Sequence, residues 1–561
     1  MKDRSLAPKS LPTQLAQLFA VLLLALLLSL GLLFRVANLD QKIFWVDEVA
    51  TAIRAAGYTK AEIMAQLTDG SPRTPTDLLA YQQLTPSRSF FDTLSALSRS
   101  PEHAPLYFVL IRFWMQAFGS SVSAIRSFSV LCSLLVLPCV YWLVRELFRS
   151  VQGINSAQIG CTAVALMAVS PFFVAYAQEA RPYSFWLLTI VLCWGFLLRA
   201  MRRNSLASWG IYTLTLIASL YTSLLSLLLL IGQAVYVITL EQRSQMAQRV
   251  TQRVTQRYGW AFGTAALAFL PWVWVILHQQ EALATNTTWM RTSIHPLTMM
   301  AIWLYSFAVL FFDVPVVTQV SWVAVVQFII AAIVLIALGT ALYRCSKLPR
   351  PISLLIAALG IPIPLTLIVL DVIFQGQASA SPRYLIPSQF GVLTAVAYSI
   401  GSASASGSNS RSATQKPTST KRLWQAVAVF LLSLSLISGC VNLKRSPDYQ
   451  KARNRHNPEI AAFLNQATHP VLIAEPSQTM DLLSLSHNLN ATVQIQILSI
   501  EQIITTLHSC QNNFLFNPSA QLIEALHQTK TLAFKQIYQP NLMTSDDIYL
   551  SLGKTSVAAC R

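Results

Sequence analysis

The chain is built around eleven separated apolar stretches, most of them about 17 to 25 residues long and nearly free of charge. Backbone amides that enter hydrocarbon must be satisfied within their own segment, and a core about 30 Å thick is crossed by a helix of roughly 20 residues. Such a chain folds as a polytopic α-helical membrane protein. Composition agrees, since 54% of the 561 residues are hydrophobic and 11% are charged, against about 25% charged in soluble domains. The first stretch, Leu15 to Phe34, is too long for a signal-peptide core and has no small-residue cleavage site, so it reads as a permanent first span.

A formal charge of +17 would suit a nucleic-acid partner if it were gathered on one soluble face. It is instead distributed over short loops, as the positive-inside rule requires, and no nucleic-acid partner is expected. Lys2, Arg4 and Lys9 put the N-terminus in the cytoplasm. The clusters Arg145/Arg149, Arg199/Arg202/Arg203, Arg243/Arg249/Arg253/Arg257, Arg344/Lys347/Arg350 and Arg411/Lys416/Lys421/Arg422 mark further cytoplasmic loops. An even number of crossings must separate consecutive clusters. Parity then gives spans near 15–35, 122–145, 159–176, 184–200, 207–221, 223–240, 259–277, 319–343, 352–371, 384–401 and 423–441. The extra apolar segments 104–118 and 297–312 become short helices at the outer leaflet. Residues 1–441 form the membrane domain, with a first outer loop at 36–121 and a flexible Ser/Thr/Gly-rich cytoplasmic linker at 402–422. Residues 442–561 alternate apolar runs such as "PVLIAE" with helix-like runs such as "MDLLSLSHNL", which predicts a small extracytoplasmic α/β domain. Five cysteines lie in or beside spans as packing residues and Cys345 in a basic loop. Cys510 and Cys560 share the soluble region, either paired or as free thiols.

Against this background the acids stand out. "FWVDEVATAIRAAG" places Asp47 and Glu48 just past the first span, at the head of an amphipathic run. Adjacent residues on a helix point about 100° apart, so one of the two is expected to face a substrate. First-turn acids also favour the helix dipole and serve as caps. Arg54, seven residues on, shares a face with Asp47 and brings a cation to that carboxylate or to an anionic ligand. Glu102 and His103 open the outer-leaflet helix, Glu179 and Arg181 occupy a very short outer loop, and Arg383 begins a late span. Ionisable groups there cost free energy unless paired or wet, and their gathering on one side suits a ligand with an anionic head and an apolar tail. Arginine matches phosphate through a planar, bidentate fork. His103, His278 and His295 are scattered without ligand spacing, so no metal is indicated and no cofactor is expected.

The segments "FWVDEVATA", "SPEHAPLYFVLIRFWMQAFG" and "SPFFVAYAQEARPYSFWLLT" resemble, in order and spacing, the membrane-embedded glycosyltransferases of the dolichyl-phosphate-mannose protein mannosyltransferase type, especially their bacterial relatives. The similarity covers about residues 10–400 in layout and is dense in motif over about 40–190. It implies the class C glycosyltransferase fold, a polyprenyl-phosphate-linked sugar as donor, transfer with inversion, and residence in a bacterial plasma membrane. It also implies that Asp47 is the catalytic base, with Glu48 its motif neighbour. His103, Glu179, Arg181, Arg383 and Tyr384 fall at substrate-binding positions. Where the family often has His-Pro-Pro, this chain has His103-Ala104-Pro105. The acceptor, whether protein, lipid or glycan, is left open. A transporter or flippase of lipid-linked sugars is the competing reading, but those proteins are built from internal repeats with midplane charges, and no such repeat is evident.

Overall fold

The computed structural model describes residues 11–149, 151–241, 248–315, 321–405, 419–444, 453–507, 512–529, 532–538 and 551–557. The first apolar stretch forms α1 (Leu11–Val36), a Leu-rich helix whose outward side chains are exposed as a lipid-facing helix requires. The long loop after it folds into α2 (Val46–Ala56), α3 (Lys60–Leu67), α4 (Pro75–Ala80), α5 (Phe90–Ser98) and α6 (Leu106–Phe118). Thr59, Thr74 and Ser89 cap α3, α4 and α5 by accepting a backbone N–H three residues on, the local signal that starts each helix. The bundle continues with α7 (Val122–Phe148), α8 (Ser156–Val169), α9 (Pro171–Ala177), α10 (Tyr183–Arg203), α11 (Leu206–Leu220), α12 (Ser226–Glu241) and α13 (Gln248–His278). After it come α14 (Gln280–Asn286), α15 (Pro296–Ala308), α16 (Trp322–Ser346), α17 (Arg350–Gly360), α18 (Pro362–Phe374), α19 (Ile386–Ala405) and α20 (Ser419–Lys444).

Each of the eleven expected spans falls on one or two of these helices, but fewer than eleven have the length of a crossing. Among the described residues, seven are long and apolar enough to cross a bilayer: α1, α7, α10, α13, α16, the α17–α18 pair and α20. The α8–α9 pair makes an eighth, bent by 61°. The continuous span expected over 159–176 is therefore broken, because Ser170 precedes Pro171 and is driven to an extended ψ of 121°. Helices α11 and α12 have 15 and 16 residues. At 1.5 Å per residue they rise about 22 to 24 Å, short of a full hydrocarbon core. Helix α19 is buried along nearly all of its described length, and its Ser388, Gln389, Thr394 and Ser399 face protein rather than lipid. The short segments placed outside the bundle are α6 and α15, of 13 residues each.

Hydrogen bonds collect one end of the bundle. Arg126 near the start of α7 donates to Leu39 beyond α1, Leu106 N to Tyr221 beyond α11, and Asn286 beyond α13 to Glu102. Gln377 N after α18 bonds Met290, Arg383 before α19 pairs with Asp47, and Asn38 bonds Leu443 near the end of α20. The segments that parity assigns to one side of the membrane thus meet each other.

The break between α8 and α9 leaves carbonyls without helical donors inside apolar surroundings. Arg35, fully buried at the end of α1, supplies them. Its guanidinium donates to Ala168 O, to Met167 O at 3.1 Å, to Gly31 O at 2.9 Å and to Ser133 Oγ at 2.9 Å. Gly31 makes this approach feasible, since a Cβ there would run into the backbone of Ala168.

The C-terminal region comprises α21 (Asn457–Asn465), β1 (Pro470–Ala474), α22 (Thr479–Leu485), β2 (Gln494–Ile497), α23 (Ile500–Thr506), β3 (Asn512–Phe516), α24 (Ala520–Gln528), β4 (Leu532–Tyr538) and β5 (Leu552–Val557). The sheet runs β2-β1-β3-β5-β4, with β1 parallel to β2 and β3, and β5 antiparallel to β3 and β4. All five residues of β1 are buried, as a central parallel strand covered on both faces demands. Arg73 of the first loop exchanges two backbone hydrogen bonds with Ile495 and covers the free edge of β2. Helix α22 is buried throughout and packs on α2, α3 and α4. Cys510, Cys560 and most of the 402–422 linker lie outside the described residues.

Arg35→Leu leaves the Met167 and Ala168 carbonyls in an apolar site without donors, and each such group costs about 1–3 kcal/mol. The variant is expected to lose about 2–4 kcal/mol of stability, read as a clear fall in the thermal unfolding midpoint in detergent. An unchanged midpoint would show that these carbonyls find other partners.

Candidate active site

Helix α2 begins immediately after Trp45, which provides no side-chain cap, and Asp47 and Glu48 occupy its first turn. The angular separation expected of neighbours sends them to different environments. Glu48 turns into the protein and is fully buried. Its Oε2 accepts Arg126 Nη2 at 2.6 Å, and its Oε1 accepts Arg126 Nε at 2.8 Å and Ala180 N at 2.7 Å. Arg126 spends its remaining donors on the carbonyls of Leu39, Lys42 and Ile43. Glu48 is thus engaged on both oxygens by groups of the protein itself. The sequence paired it with Asp47 as a catalytic candidate; its place is that of an anchor joining α2, α7 and the α9–α10 turn.

Asp47 turns the other way and its side chain keeps 28% of its exposure. Its Oδ2 lies 3.1 Å from Arg383 Nη1 and 3.9 Å from Arg181 Nη2. Arg181 also donates to the Asp47 carbonyl at 3.1 Å and to Thr51 Oγ1 at 3.2 Å, so it grips the helix as well as the carboxylate. Arg383 sits in a single 3₁₀ turn, Pro382–Leu385, with its guanidinium over the rings of Trp289 (5.5 Å), Tyr384 (5.6 Å) and Trp45 (5.8 Å). Aromatic faces hold a guanidinium without neutralising it. Two arginines thus meet one carboxylate, and an excess of positive charge remains at a partly open position.

Arg54 pairs with Glu102 at 3.7 Å and donates to Ser100 Oγ at 2.9 Å, and it stays close enough to Asp47 to feel its charge, as its helix face predicts. Asn286 Nδ2 lies 3.1 Å from both Glu102 oxygens. His103 is 3.6 Å from Glu102, yet burial and the charges of Arg54, Arg181 and Arg383 hold its imidazole well below its ordinary pKa. It is neutral at pH 7 and offers one N–H rather than a charge. Glu179 is buried in the α9–α10 turn, where its carbonyl accepts Arg181 N at 2.8 Å. Tyr384 flanks Arg383. A narrow crevice among α7, α9, α10 and α19, lined by Tyr176, Tyr183, Ser184, Leu187 and Ile386, adjoins the segments that carry Arg181 and Arg383. Among the described residues no three His, Cys, Asp or Glu side chains converge on one point.

Sequence reasoning passed over Arg126, Trp45 and Trp289. Arg126 had a signal, a guanidinium among the apolar residues of the first half of α7, where charge is expensive without a purpose. The tryptophans had none, since aromatic residues are ordinary at a membrane interface.

Residues 102–275 match the family described as dolichyl-phosphate-mannose-protein mannosyltransferase. That stretch overlaps the motif-dense region read from sequence and extends beyond it; it contains Glu102, His103, Arg126, Glu179 and Arg181 but not Asp47 or Arg383. Comparison with curated proteins returns no sequence match. Among solved structures, ArnT from Cupriavidus metallidurans bound to undecaprenyl phosphate superposes with a TM-score of 0.50 at 13% identity, covering 97% of this chain and 98% of that one. The oligosaccharyltransferase AglB from Archaeoglobus fulgidus, in complex with an inhibitory peptide and a dolichol-phosphate, gives a TM-score of 0.43 at 12% identity, covering 85% of this chain and 65% of that one. The chain has the class C glycosyltransferase fold, and between residues 102 and 275 it carries the sequence pattern of the dolichyl-phosphate-mannose-protein mannosyltransferases.

Proposed function

We propose that this protein transfers a sugar, with inversion, from a polyprenyl-phosphate donor to an acceptor hydroxyl on the outer face of a bacterial plasma membrane. The observation that carries the reading is the Asp47 carboxylate facing Arg383 and Arg181 at a partly exposed position, at the bundle end where the C-terminal domain docks. The family match over residues 102–275 and the likeness to a fold relative bound to undecaprenyl phosphate support it.

The chemistry follows from the charges. The donor phosphate takes the guanidiniums of Arg383 and Arg181, which spread its charge and improve it as a leaving group. In doing so it draws Arg383 away from Asp47. The released carboxylate accepts the proton of the acceptor hydroxyl, whose oxygen bonds to the anomeric carbon as the bond to the phosphate oxygen breaks. The products are the glycosylated acceptor and the polyprenyl phosphate, and no general acid is required. Arg54 and Glu102 shape the neighbouring wall, where neutral His103 offers a hydrogen bond, while Glu179 and Tyr384 line the donor side. In this reading the N-terminus is cytoplasmic and residues 442–561 are extracytoplasmic.

Asp47→Asn removes the base and keeps the shape. Transfer from a radiolabelled polyprenyl-phosphate sugar by the purified protein is expected to fall by about 10²- to 10⁴-fold, with the unfolding midpoint unchanged. Activity at the parental level would remove Asp47 from the mechanism.

Glu48→Gln separates anchor from chemistry. It leaves the Arg126 charge buried without its counter-ion, a change that costs about 3–5 kcal/mol. Protein yield and thermal stability should therefore drop, and Glu48→Gln combined with Arg126→Gln should recover part of the loss. A Glu48→Gln protein that is fully stable but inactive would instead place Glu48 in the reaction.

A further inference from the structure

The start of α2 is held from outside the membrane domain. Trp45 stands at the N-cap position; its carbonyl accepts the N–H groups of Glu48 and Val49, but its side chain offers no acceptor, so the first amide of the helix, Val46 N–H, needs an acceptor from elsewhere. Asn454, 408 residues away in sequence, fills it: its Oδ1 accepts Val46 N at 3.0 Å. Two residues earlier, Ser484 Oγ donates to the carbonyl of Phe44 at 2.7 Å, and Asn457 Nδ2 in turn donates to Ser484 Oγ at 3.0 Å. Asn454 is itself fixed. Its Nδ2 donates to Asp481 Oδ1 at 3.0 Å, the same buried carboxylate that takes the Arg453 guanidinium at 2.6 and 2.8 Å. Its backbone has φ of +68°, which asparagine tolerates far better than most residues, and it is 2% exposed. The residues leading into Asp47 are therefore clamped on both sides of Trp45 by side chains of the C-terminal region.

We propose that the C-terminal domain is the positioning device for Asp47, with Asn454 as the cap of α2 supplied across the domain boundary and Ser484 as its second clamp. Neither residue touches the reacting atoms. They set the register and tilt of the helix turn from which the carboxylate projects, and a shift of about 1 Å in such a group is enough to cost about a hundredfold in rate. The proposal rests on Asp47 being the base.

The test compares Asn454→Gly, the exchange pair Asn454→Asp with Asp481→Asn, Ser484→Ala and Asp47→Asn in the full-length purified protein. Glycine keeps the positive φ and removes the side chain; the exchange keeps an oxygen able to accept Val46 N–H and still sets one carboxylate against one amide, whereas aspartate alone would face the Asp481 carboxylate. Asn454→Gly is expected to lower kcat about ten- to hundredfold with the donor KM within about twofold, and to speed hydrogen exchange in the peptide spanning residues 44–49. The exchange pair should restore kcat to within about threefold of the parent, and Ser484→Ala should show the same pattern as glycine in smaller measure. Parental kcat in Asn454→Gly, or an exchange pair as impaired as glycine, overturns the cap. Should the glycine variant fail to accumulate, parental kcat and exchange in Ser484→Ala overturn the clamp. An active Asp47→Asn protein would sink the reading of the base itself, whatever the Asn454 variants do.

Discussion

The pair of Glu48 and Arg126 is the interaction on which the site's geometry depends. Both side chains are about 1% exposed, and taking two such charges out of water costs several kcal/mol per ion unless every donor and acceptor is met. Here they are met. A guanidinium has five N–H donors, and Arg126 has five acceptor contacts, two with Glu48 and one each with Leu39, Lys42 and Ile43. Glu48 adds the Ala180 amide. One side chain of α7 thereby fixes the exit of α1, the first turn of α2 and the α9–α10 turn. Arg181 follows Ala180 directly and Asp47 precedes Glu48, so this buried pair determines how far apart Asp47 and Arg181 stand.

Arg35 does the same work lower in the bundle, where it feeds the carbonyls exposed by the α8–α9 break. The break redirects the chain by 61° just ahead of the turn that carries Glu179 and Arg181. Local strain against helix continuity at Ser170-Pro171 and a distant arginine are thus two halves of one feature. Neither makes sense alone.

Much of this architecture is legible in the sequence, for a definite reason. Hydrocarbon tolerates few backbone solutions, so apolar length marks where the helices lie. The site is legible in part: Asp47, Arg181 and Arg383 are among the outer-side charges that the sequence singles out, and the structure brings their side chains within ion-pair reach. What escapes is pairing. Arg54 shares a face with Asp47 but finds its ion-pair partner in Glu102, 48 positions away, and Glu48 finds a partner 78 positions away. Helical spacing says which residues share a face, not what the opposite face will offer. The broken span escaped as well, because hydropathy averages over Ser170-Pro171 while backbone sterics do not.

Arg383 shows why the surroundings of a charge matter as much as its partner. Had Asp47 been its sole neighbour of consequence, a departing carboxylate would leave the guanidinium without a fixed orientation, and an incoming phosphate would have to order it anew. Trp45, Trp289 and Tyr384 surround it with ring faces, which attract a cation at about 0.5–1 kcal/mol or more each yet form no hydrogen bond that a phosphate must displace. In the proposed reaction the fork therefore stays aimed while its anionic partner changes. Trp45 belongs to this cage and also stands between the two residues clamped by Ser484 and Asn454. The same short stretch, Phe44 to Asp47, thus couples the orientation of the arginine, the direction of the carboxylate and the docking of the C-terminal domain, and none of the three can move without disturbing the other two.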